Sequence, residues 1–472
     1  MIHSLKKRPV VLAALLATLA APSLQAMPLE EELRAVLGHH PLLKANRHAI
    51  EAAGLRVEAA QAAAMPRLVV SADAGREGIV TESYKPDAQM RLGDNGTVRP
   101  ATESDLTRRR VGLSLEQSLY NGGRTTATQD LAGTDRALQN ANLQALTQDV
   151  LLEALTAYLQ VARFQTLIGL TRLNEDTTRQ QLELETRRAA GGGGIVVDVM
   201  QARSRLQIVK ERRVFYEQQL RDALANYEQA FGHAPDLARF QDVQIYEGGL
   251  PASLPAALDA GLQQSARLAA AKLQVQRSQG QISLERAGFK PSVDLVLARN
   301  NEHNVSASAA RNDWSAVVRL NWAFNLGGET FHREAAALRD QEELMEREVS
   351  TRNKVREAIR IAWNQVVNGK ERLELLESAA GIARDVMNDR KRLRDAGKET
   401  ALSALDAEVE YFGVLANKVN AQYDVRIGAY RLMAAVGSLT PANLGLDAGG
   451  LRLPVQPLVV DMKTLTGESP RP

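Results

Sequence analysis

Few residues in this 472-residue sequence have the types and spacing of a catalytic or metal-binding site. His39 and His40 form the only adjacent histidine pair, but neighbouring residues do not share a helix face, so the pair predicts no metal site. Glu30, Glu31 and Glu32 stand at an expected helix start, where negative charge offsets the helix dipole. The sequence contains no Gly-x-Ser-x-Gly elbow, no His-Glu-x-x-His motif and no dinucleotide fingerprint. We therefore expect no enzyme activity, no cofactor and no bound metal.

A run of consecutive glycines is the other conspicuous local motif: Gly191, Gly192, Gly193 and Gly194. It is not a phosphate-binding loop, because no Gly-Lys-Ser or Gly-Lys-Thr ending follows it. Two interpretations stay open. The run is either a flexible tight turn or the tip of a helical hairpin, where small side chains allow a partner helix to approach closely.

The composition excludes several classes of protein. The absence of cysteine excludes a disulfide scaffold, thiolate metal sites and a cysteine nucleophile. Three basic residues precede an apolar run and a small-residue stop at Ala26, which predicts a cleaved signal peptide over residues 1–26 rather than a short anchor helix. Cleavage would change the formal net charge from +2 to −1 by removing Lys6, Lys7 and Arg8, so we expect no nucleic-acid partner.

The sequence repeats itself at an offset of 205 residues, without a gap over about 110 positions. The offset aligns Gly122 with Gly327, Val150 with Val355, Tyr158 with Trp363, Gly192 with Gly397, and Gly232 with Gly437. No proline falls between Thr102 and Ala234 or between Ser292 and Thr440, so the main helix breaker is absent from both stretches. The mature chain is therefore predicted to be two copies of one unit.

Each unit is predicted to run helix, strand, loop, strand, long helix, turn, long helix. The first repeat spans residues 27–240, with strands at about 67–75 and 107–120 and a helical hairpin at about 124–232. The second spans 241–440, with strands at about 292–300 and 313–325 and a hairpin at about 329–437. Residues 441–472 are predicted to be a periplasmic, partly disordered tail.

The predicted strands alternate between apolar and polar residues. One face of the last strand carries Trp314, Ala316, Val318, Leu320, Trp322 and Phe324, and similar faces carry Val111, Leu113 and Leu115, and Leu68, Val70 and Ala72. Length and pattern fit outer-membrane strands, but a half-buried sheet of a soluble domain would look the same. The strands alone leave both readings open.

The long helices favour the membrane reading. Apolar residues in the first of them step by three or four: Leu143, Leu146, Val150, Ala154, Ala157, Val161, Phe164 and Ile168. Residues 124–188 would form a rod about 98 Å long, which bridges a wide gap rather than filling a compact domain. Four strands cannot close a bacterial barrel, and open edges do not persist in lipid. Three chains would together supply twelve strands, with the helices closing into a second, coiled-coil barrel.

With these features the sequence resembles the TolC family of outer-membrane channel proteins over nearly the whole mature chain. The resemblance rests on the duplication, on the strand endings Leu119-Tyr120-Asn121-Gly122-Gly123-Arg124 and Phe324-Asn325-Leu326-Gly327-Gly328, and on the turn signatures Gly192, Asp198, Ala202 and Gly397, Ser403, Ala407. It implies a mixed fold, in which a homotrimer shares a twelve-stranded transmembrane β-barrel and a long all-α coiled-coil barrel. It also implies docking to a periplasmic adaptor and to an inner-membrane ABC or proton-driven transporter.

The resemblance also implies site residues. Asp198 matches a family acid that holds the periplasmic end closed, and its partners match Arg394 and Glu399. Both partners depart from the family pattern, which predicts a rewired latch with Asp198 and Arg394 as the attractive pair, or else residues that are simply solvated. Asp406 matches one of two acidic pore rings, while Ser403 replaces the other. The glycines Gly191, Gly192, Gly193, Gly194 and Gly397 are the predicted adaptor-docking tips.

The sequence thus predicts an outer-membrane exit channel of a tripartite export system, embedded in lipid and extended into the periplasm. Its cargo is a secreted protein, as in type I secretion, or small molecules, as in efflux. No cysteine follows the signal to carry a lipid anchor, which modestly favours a multipurpose or protein-secreting member. The alternatives are a soluble periplasmic coiled-coil adaptor or scaffold, and an exported hydrolase, which would need catalytic residues that the sequence lacks.

Overall fold

The computed structural model describes residues 29–81, 102–237, 240–246, 249–303, 310–446 and 455–457. The helices are α1 (Leu29–His39), α2 (Pro41–Ala62), α3 (Arg124–Ala190), α4 (Val196–Phe231), α5 (Leu254–Gln264), α6 (Ala266–Ala287), α7 (Glu329–Asp395), α8 (Ala401–Val436) and α9 (Pro441–Leu444). The strands are β1 (Arg67–Thr81), β2 (Thr102–Tyr120), β3 (Gln241–Val243), β4 (Ser292–His303), β5 (Ala310–Asn321) and β6 (Val455–Pro457). The predicted signal peptide, residues 1–26, lies outside the described residues.

Two long helical hairpins dominate the molecule. Helices α3 and α7 have 67 residues each and α4 and α8 have 36 each, so the longer pair extends about 100 Å. Helix α3 packs against α4, and α7 packs against α8. Because α4 and α8 are only about half as long as their partners, the sheet-proximal halves of α3 and α7 pack instead against α2, α5 and α6. The proline-free stretches of the sequence explain the uninterrupted length of these helices.

The single helix predicted at the start of each unit is two helices in the structure, α1 and α2 in the first unit and α5 and α6 in the second. Helix α1 ends at His39, and α2 begins with Pro41, which lacks the backbone N–H needed to continue a helix. Ser265 separates α5 from α6, and its hydroxyl accepts a hydrogen bond from the backbone N–H of Leu268 at 3.3 Å. A serine that caps a new helix in this way favours a break at that position.

The core lies between the two hairpins, midway along the bundle. A second apolar stripe of α3, beside the one that runs from Leu143 to Ile168, is buried throughout: Leu151, Leu155, Tyr158 and Ala162. The Tyr158 ring stacks on Phe240 with 4.1 Å between centroids. These residues pack with buried side chains of α8 in one cluster, which explains how a thin rod acquires a dry interior.

A small ribbon and part of the C-terminal tail complete this core. Strand β3 pairs with β6, and the Asp242 carboxylate accepts a hydrogen bond from Nη1 of the buried Arg426 at 2.5 Å. Leu444 and Leu446 are buried in the same cluster. Residues 441–446 are thus attached to the bundle by buried apolar side chains, and residues 455–457 by strand pairing. Residues 447–454 and 458–472 lie outside the described part, so the partly disordered tail stays a prediction.

The other four strands form one antiparallel sheet in the order β1-β2-β4-β5. Strands β1, β2 and β4 are longer than the ranges predicted for them, since pairing extends to Thr81 in β1, back to Thr102 in β2 and to His303 in β4. Strand β5 was predicted to reach residue 325, and this is wrong: it ends at Asn321, opposite Ser292. The ladder stops there because Pro291 precedes Ser292 and has no N–H to donate.

The register gives the sheet two different faces. One face, called the apolar face below, carries Leu68, Val70, Val111, Leu113, Leu115, Leu295, Leu297, Trp314, Ala316, Val318 and Leu320. The opposite face, called the charged face, carries the basic residues Arg67, Arg108, Arg110, Arg311 and Arg319 and the acidic residues Asp73, Glu116, Asp294, Glu302 and Asp313. Among the described side chains, the charges of the charged face balance.

Candidate gate at the helical hairpin tips

Both helical hairpins turn tightly at the end remote from the sheet. The first tip, residues 191–195, joins α3 to α4, and the second tip, residues 396–400, joins α7 to α8. Gly192 (φ 76°) and Gly397 (φ 71°) occupy the left-handed region that favours glycine. The Thr400 hydroxyl accepts a hydrogen bond from the Ser403 backbone N–H at 3.3 Å and caps α8, whereas Ile195 has no such cap to offer α4.

The first tip exposes apolar side chains beside its glycines. Ile195, Val196, Val197 and Met200 all have more than half of their area exposed, with values from 55% to 70%. The second tip has no comparable patch, since its turn carries Lys398 and Glu399. The two tips therefore present different chemistry to any partner that meets them.

The predicted latch residues do not meet within one chain. The Arg394 side chain is only 9% exposed, and its Nη2 lies 2.7 Å from Oδ1 of its neighbour Asp395. Glu399, within the second tip, instead has a carboxylate oxygen 3.2 Å from Nη1 of Arg390, which lies in the last two turns of α7. The half-buried Asp198 side chain has no hydrogen-bond or ion-pair partner in the described part of the chain. The Asp198–Arg394 pair remains a prediction about neighbouring chains.

Asp406 is brought to a partner that the sequence analysis missed. Its carboxylate forms an ion pair with the Arg205 guanidinium on α4, so a basic side chain of the first hairpin neutralises the predicted ring acid on the second. Arg205 stands seven residues after Asp198, two turns along the same face of α4, and Asp406 stands seven after Glu399. That heptad spacing places each residue on the helix face of a predicted latch residue, but it does not show which side chain of the other helix it meets.

A second missed pair lies inside the second hairpin. Lys391 Nζ on α7 is 3.1 Å from Oε2 of Glu408 on α8, and Glu408 is only 2% exposed. Its other carboxylate oxygen has no partner in the described part of the chain. Burying a carboxylate costs free energy unless the carboxylate is paired. The Lys391–Glu408 pair therefore sets which faces of α7 and α8 meet near the tip.

The described part of the chain offers neither a metal-binding cluster nor a membrane-spanning helix. No cluster of three or more His, Cys, Asp or Glu side chains there could hold a metal ion. None of its helices combines the length and apolarity needed to cross a membrane. The tips carry ion pairs and exposed apolar side chains, which can hold two hairpins together or release them.

Known proteins show the same architecture. The chain is 24% identical over 374 residues to the outer membrane efflux protein BepC of Brucella suis, covering 78% of this chain and 80% of that protein. It is 25% identical over 404 residues to the alkaline protease secretion protein AprF of Pseudomonas aeruginosa, covering 82% and 80%. The solved structure of the outer-membrane channel OprN superposes with a TM-score of 0.73 at 18% identity, over 87% of this chain and 90% of that one.

The family model described as "Outer membrane efflux protein" matches residues 33–233 and again residues 257–438. The two matched segments each contain one helical hairpin and the two strands before it. The resemblance to this family and the prediction of an outer-membrane export channel are confirmed, and none of these findings supports the soluble adaptor. The chain belongs to the outer membrane efflux protein family, whose members are export channels of the outer membrane.

Proposed function

We propose that three copies of this chain form the exit duct of a tripartite export system, with a shared twelve-stranded β-barrel in the outer membrane and an α-helical barrel in the periplasm. The observation that most supports this proposal is the four-stranded sheet with its apolar face. Strands β1 and β5 are its edges and have no further strand partner in the described part of the chain. Unpaired backbone groups cost several kcal/mol each in lipid, so the edges need partners from other copies.

The placement of the helices supports this orientation. All four strand ends that lead to α2, α3, α6 and α7 lie at one end of the sheet, because β1 and β4 leave it and β2 and β5 return to it. The long helices therefore extend from a single rim. A length of about 100 Å suits a conduit across the periplasm, and the strand ends remote from the helices would then face the cell exterior. The matching lengths of the two hairpins support a duplicated chain, which gives the trimer six similar hairpins.

The tips are the proposed gate. Three Arg205–Asp406 pairs would tie each first hairpin to the second hairpin of its own chain. Asp198 would pair with Arg394 of a neighbouring chain, whereas Glu399 would repel it. Opening is then a population shift between a closed and an open arrangement of the hairpins. A partner that binds the open arrangement more tightly drives the shift. Asp406 would form the pore ring, and Gly191–Gly194 with Gly397 would receive the periplasmic adaptor.

The inner-membrane pump supplies the energy, and this chain is a passive duct. AprF is by name a protease secretion protein and BepC an efflux protein, so the relatives' names cover both predicted cargo classes. The cargo test has two arms in a strain that lacks its own exit channel. Co-expression with an adaptor and ABC transporter should restore release of a secreted polypeptide, or co-expression with a proton-driven pump should restore resistance to a small molecule.

Edge pairing is tested directly by cross-linking, since the chain has no cysteine to remove. Cysteines at Ser71 in β1 and Ser315 in β5 should give covalent dimers and trimers with a flexible bis-maleimide, because both lie on the charged face near the two edges. A matched pair at Ser71 and Ser114 on neighbouring strands of one chain should give only intramolecular links. Recovery of a monomer without detergent, and no intermolecular product, would show that the proposed barrel does not form.

A further inference from the structure

Two helices carry exposed apolar stripes in the half of the bundle near the tips. There α4 packs against α3, α3 against α8, and α8 against α7, so α4 and α7 are the outer helices of a four-helix layer. The stripes are formed by Val197, Ile208 and Phe215 on α4, and by Leu375, Ile382, Val386 and Leu393 on α7. Each of these side chains has between 40% and 67% of its area exposed. Stripes on both outer helices indicate a contact that the single chain does not make.

The two stripes have the same spacing. On α4, steps of seven, four and seven residues separate Val197, Ser204, Ile208 and Phe215. On α7, the same steps separate Leu375, Ile382, Val386 and Leu393. Such steps keep residues on one line of a helix and are typical of a coiled-coil seam. Because α4 runs away from the tips and α7 runs toward them, the stripes match as an antiparallel pair.

The stripes also begin at nearly the same distance from the tips. Val197 is the second residue of α4, and Leu393 is the third from the end of α7. The facing pairs are then Val197–Leu393, Ser204–Val386, Ile208–Ile382 and Phe215–Leu375, called the seam below. The polar residues on the same lines are Gln201, which faces Asp389, and Glu211, which faces the small Ala379. A polar layer such as Gln201–Asp389, with an amide donor opposite a carboxylate, favours this register over shifted ones.

The internal repeat gives the same register independently. Thr166 on α3 and Tyr423 on α8 are in contact inside the chain, with 3.3 Å between their hydroxyl oxygens. In a ring of six similar hairpins, this α3–α8 contact corresponds to a contact between α7 of one copy and α4 of the next. The 205-residue offset converts the pair into Glu371 on α7 and Gln218 on α4. That pair continues the seam one turn farther from the tips, in register to within one residue.

The apolar part of this contact is confined to the end near the tips. Continued by one further seven-residue step, the two lines place Asp222 opposite Asn368. The next step of four places Asn226 opposite Asn364. Polar pairs of this kind gain little from burial, whereas each apolar side chain of the seam is stabilised by leaving water. The dry contact therefore lies where separation of the chains would open the duct.

We infer that α4 of one copy packs against α7 of the next copy along the seam, and that this apolar contact holds the tips closed. The inference rests on the proposed trimer, which brings these outer helices side by side. Within one chain α3 and α8 separate them. The seam also brings Asp198 of one copy and Arg394 of the next to one level, since each follows a residue of the pair nearest the tips. Burial of seven apolar side chains at each contact between copies favours closure more strongly than one exposed ion pair does.

The test uses the full-length trimer purified in detergent, with cysteines introduced into the cysteine-free chain. In Ile208→Cys/Ile382→Cys the two thiols face each other only between copies, so oxidation should give disulfide-linked trimers on non-reducing gels. The control Ile208→Cys/Leu375→Cys moves one thiol by seven residues, about 10 Å along α7, which exceeds the reach of a disulfide. It should give about tenfold less linked product or lower.

The same samples test the gate. Single-channel recordings in planar bilayers should show about tenfold fewer open events, or still fewer, for the oxidised Ile208→Cys/Ile382→Cys trimer than for the same trimer after reduction, because the disulfide holds the seam together. The wild type has no cysteine and should not respond to the reductant.

The edge variant Ser71→Cys/Ser315→Cys separates this inference from the proposed function. If the edges give linked trimers while the seam thiols do not link, or link equally at the matched and shifted positions, the inference is wrong and the proposed trimer stands. Linked trimers that open as often as reduced ones also overturn it. If neither the edges nor the seam give linked trimers, the proposed function fails. Should Ile208→Cys/Ile382→Cys not assemble, Phe215→Cys/Leu375→Cys gives the same comparison at another pair of the seam.

Discussion

Arg205 on α4 and Asp406 on α8 form an ion pair that joins the two helical hairpins of one chain near their tips. The pair spans 201 residues of sequence and joins two helices that contact each other at few positions. The pair holds the two hairpins together at the proposed gate. It also places Asp406, the acid of the proposed pore ring, beside a basic side chain. Two predictions follow from these two consequences.

Removing the base should favour the open gate. A half-exposed pair contributes about 0.5 kcal/mol, and three symmetric copies in Arg205→Gln would shift the opening equilibrium by about tenfold. Single-channel recordings in planar bilayers should show longer or more frequent open events. The control Arg203→Gln removes a nearby exposed arginine and should behave as wild type. The exchange Arg205→Asp/Asp406→Arg should restore closure, and an unchanged closed state in Arg205→Gln would remove the pair from the gate.

Ion selectivity should respond in opposite directions to the two partners. Arg205 offsets the Asp406 charge, so Arg205→Gln should raise the preference for cations, while Asp406→Asn should lower it. The measurement is the reversal potential under a KCl gradient, from which the ratio of K⁺ to Cl⁻ permeability follows. If both variants leave that ratio unchanged, Asp406 does not line the constriction.

The second hairpin should depend on its buried pair. Lys391→Met removes the partner of Glu408, which is 2% exposed, and leaves an uncompensated carboxylate between α7 and α8. Because Lys391 itself is partly solvated, the expected loss is about 1 to 3 kcal/mol rather than the larger cost of a fully buried pair. Thermal unfolding followed by circular dichroism at 222 nm should show a lower Tm. Lys370→Met, an exposed lysine of α7, serves as the control, and adding Glu408→Gln to Lys391→Met should recover part of the loss.

Patterns along the chain predicted the elements, and contacts between distant elements set the site. The 205-residue offset is a property of the sequence itself, and the three- and four-residue steps from Leu143 to Ile168 follow from helix geometry. Both could therefore be recognised from the sequence alone. The end of β5 could not, because it depends on Pro291, which directly precedes the neighbouring strand β4. The Arg205–Asp406 pair was not readable either. Which face of α4 meets α8 is decided by packing of both hairpins, and spacing within one helix does not contain that rotation.

Adding a side chain at Gly192 should strain the first tip, whereas adding one at the neighbouring Gly193 should not. Gly192 has φ 76° and nothing within 4 Å of an added Cβ, so Gly192→Ala should cost about 1 kcal/mol through backbone conformation alone. Gly193 is equally exposed but is not in the left-handed region, so Gly193→Ala should be neutral or slightly stabilising. Hydrogen exchange at the ends of α3 and α4 measures the difference locally. Equal exchange in the two variants would show that the turn does not hold Gly192 in this conformation.

Glu32 should make the stability of the bundle depend on pH. Burial raises the pKa of this carboxyl above its ordinary value, and the hydrogen bond from the Tyr227 hydroxyl offsets only part of that rise. The folded chain therefore binds the proton more tightly than the unfolded chain, so the stabilisation present below about pH 4.5 is lost as the pH rises through the folded-state pKa. Glu32→Gln lacks this loss and keeps an acceptor for Tyr227. Relative to wild type, its Tm should thus increase from pH 4.5 to pH 7.5. Glu31→Gln, on an exposed neighbour, should show no such increase, and a pH-independent difference for Glu32→Gln would mean that the carboxyl is not held by burial.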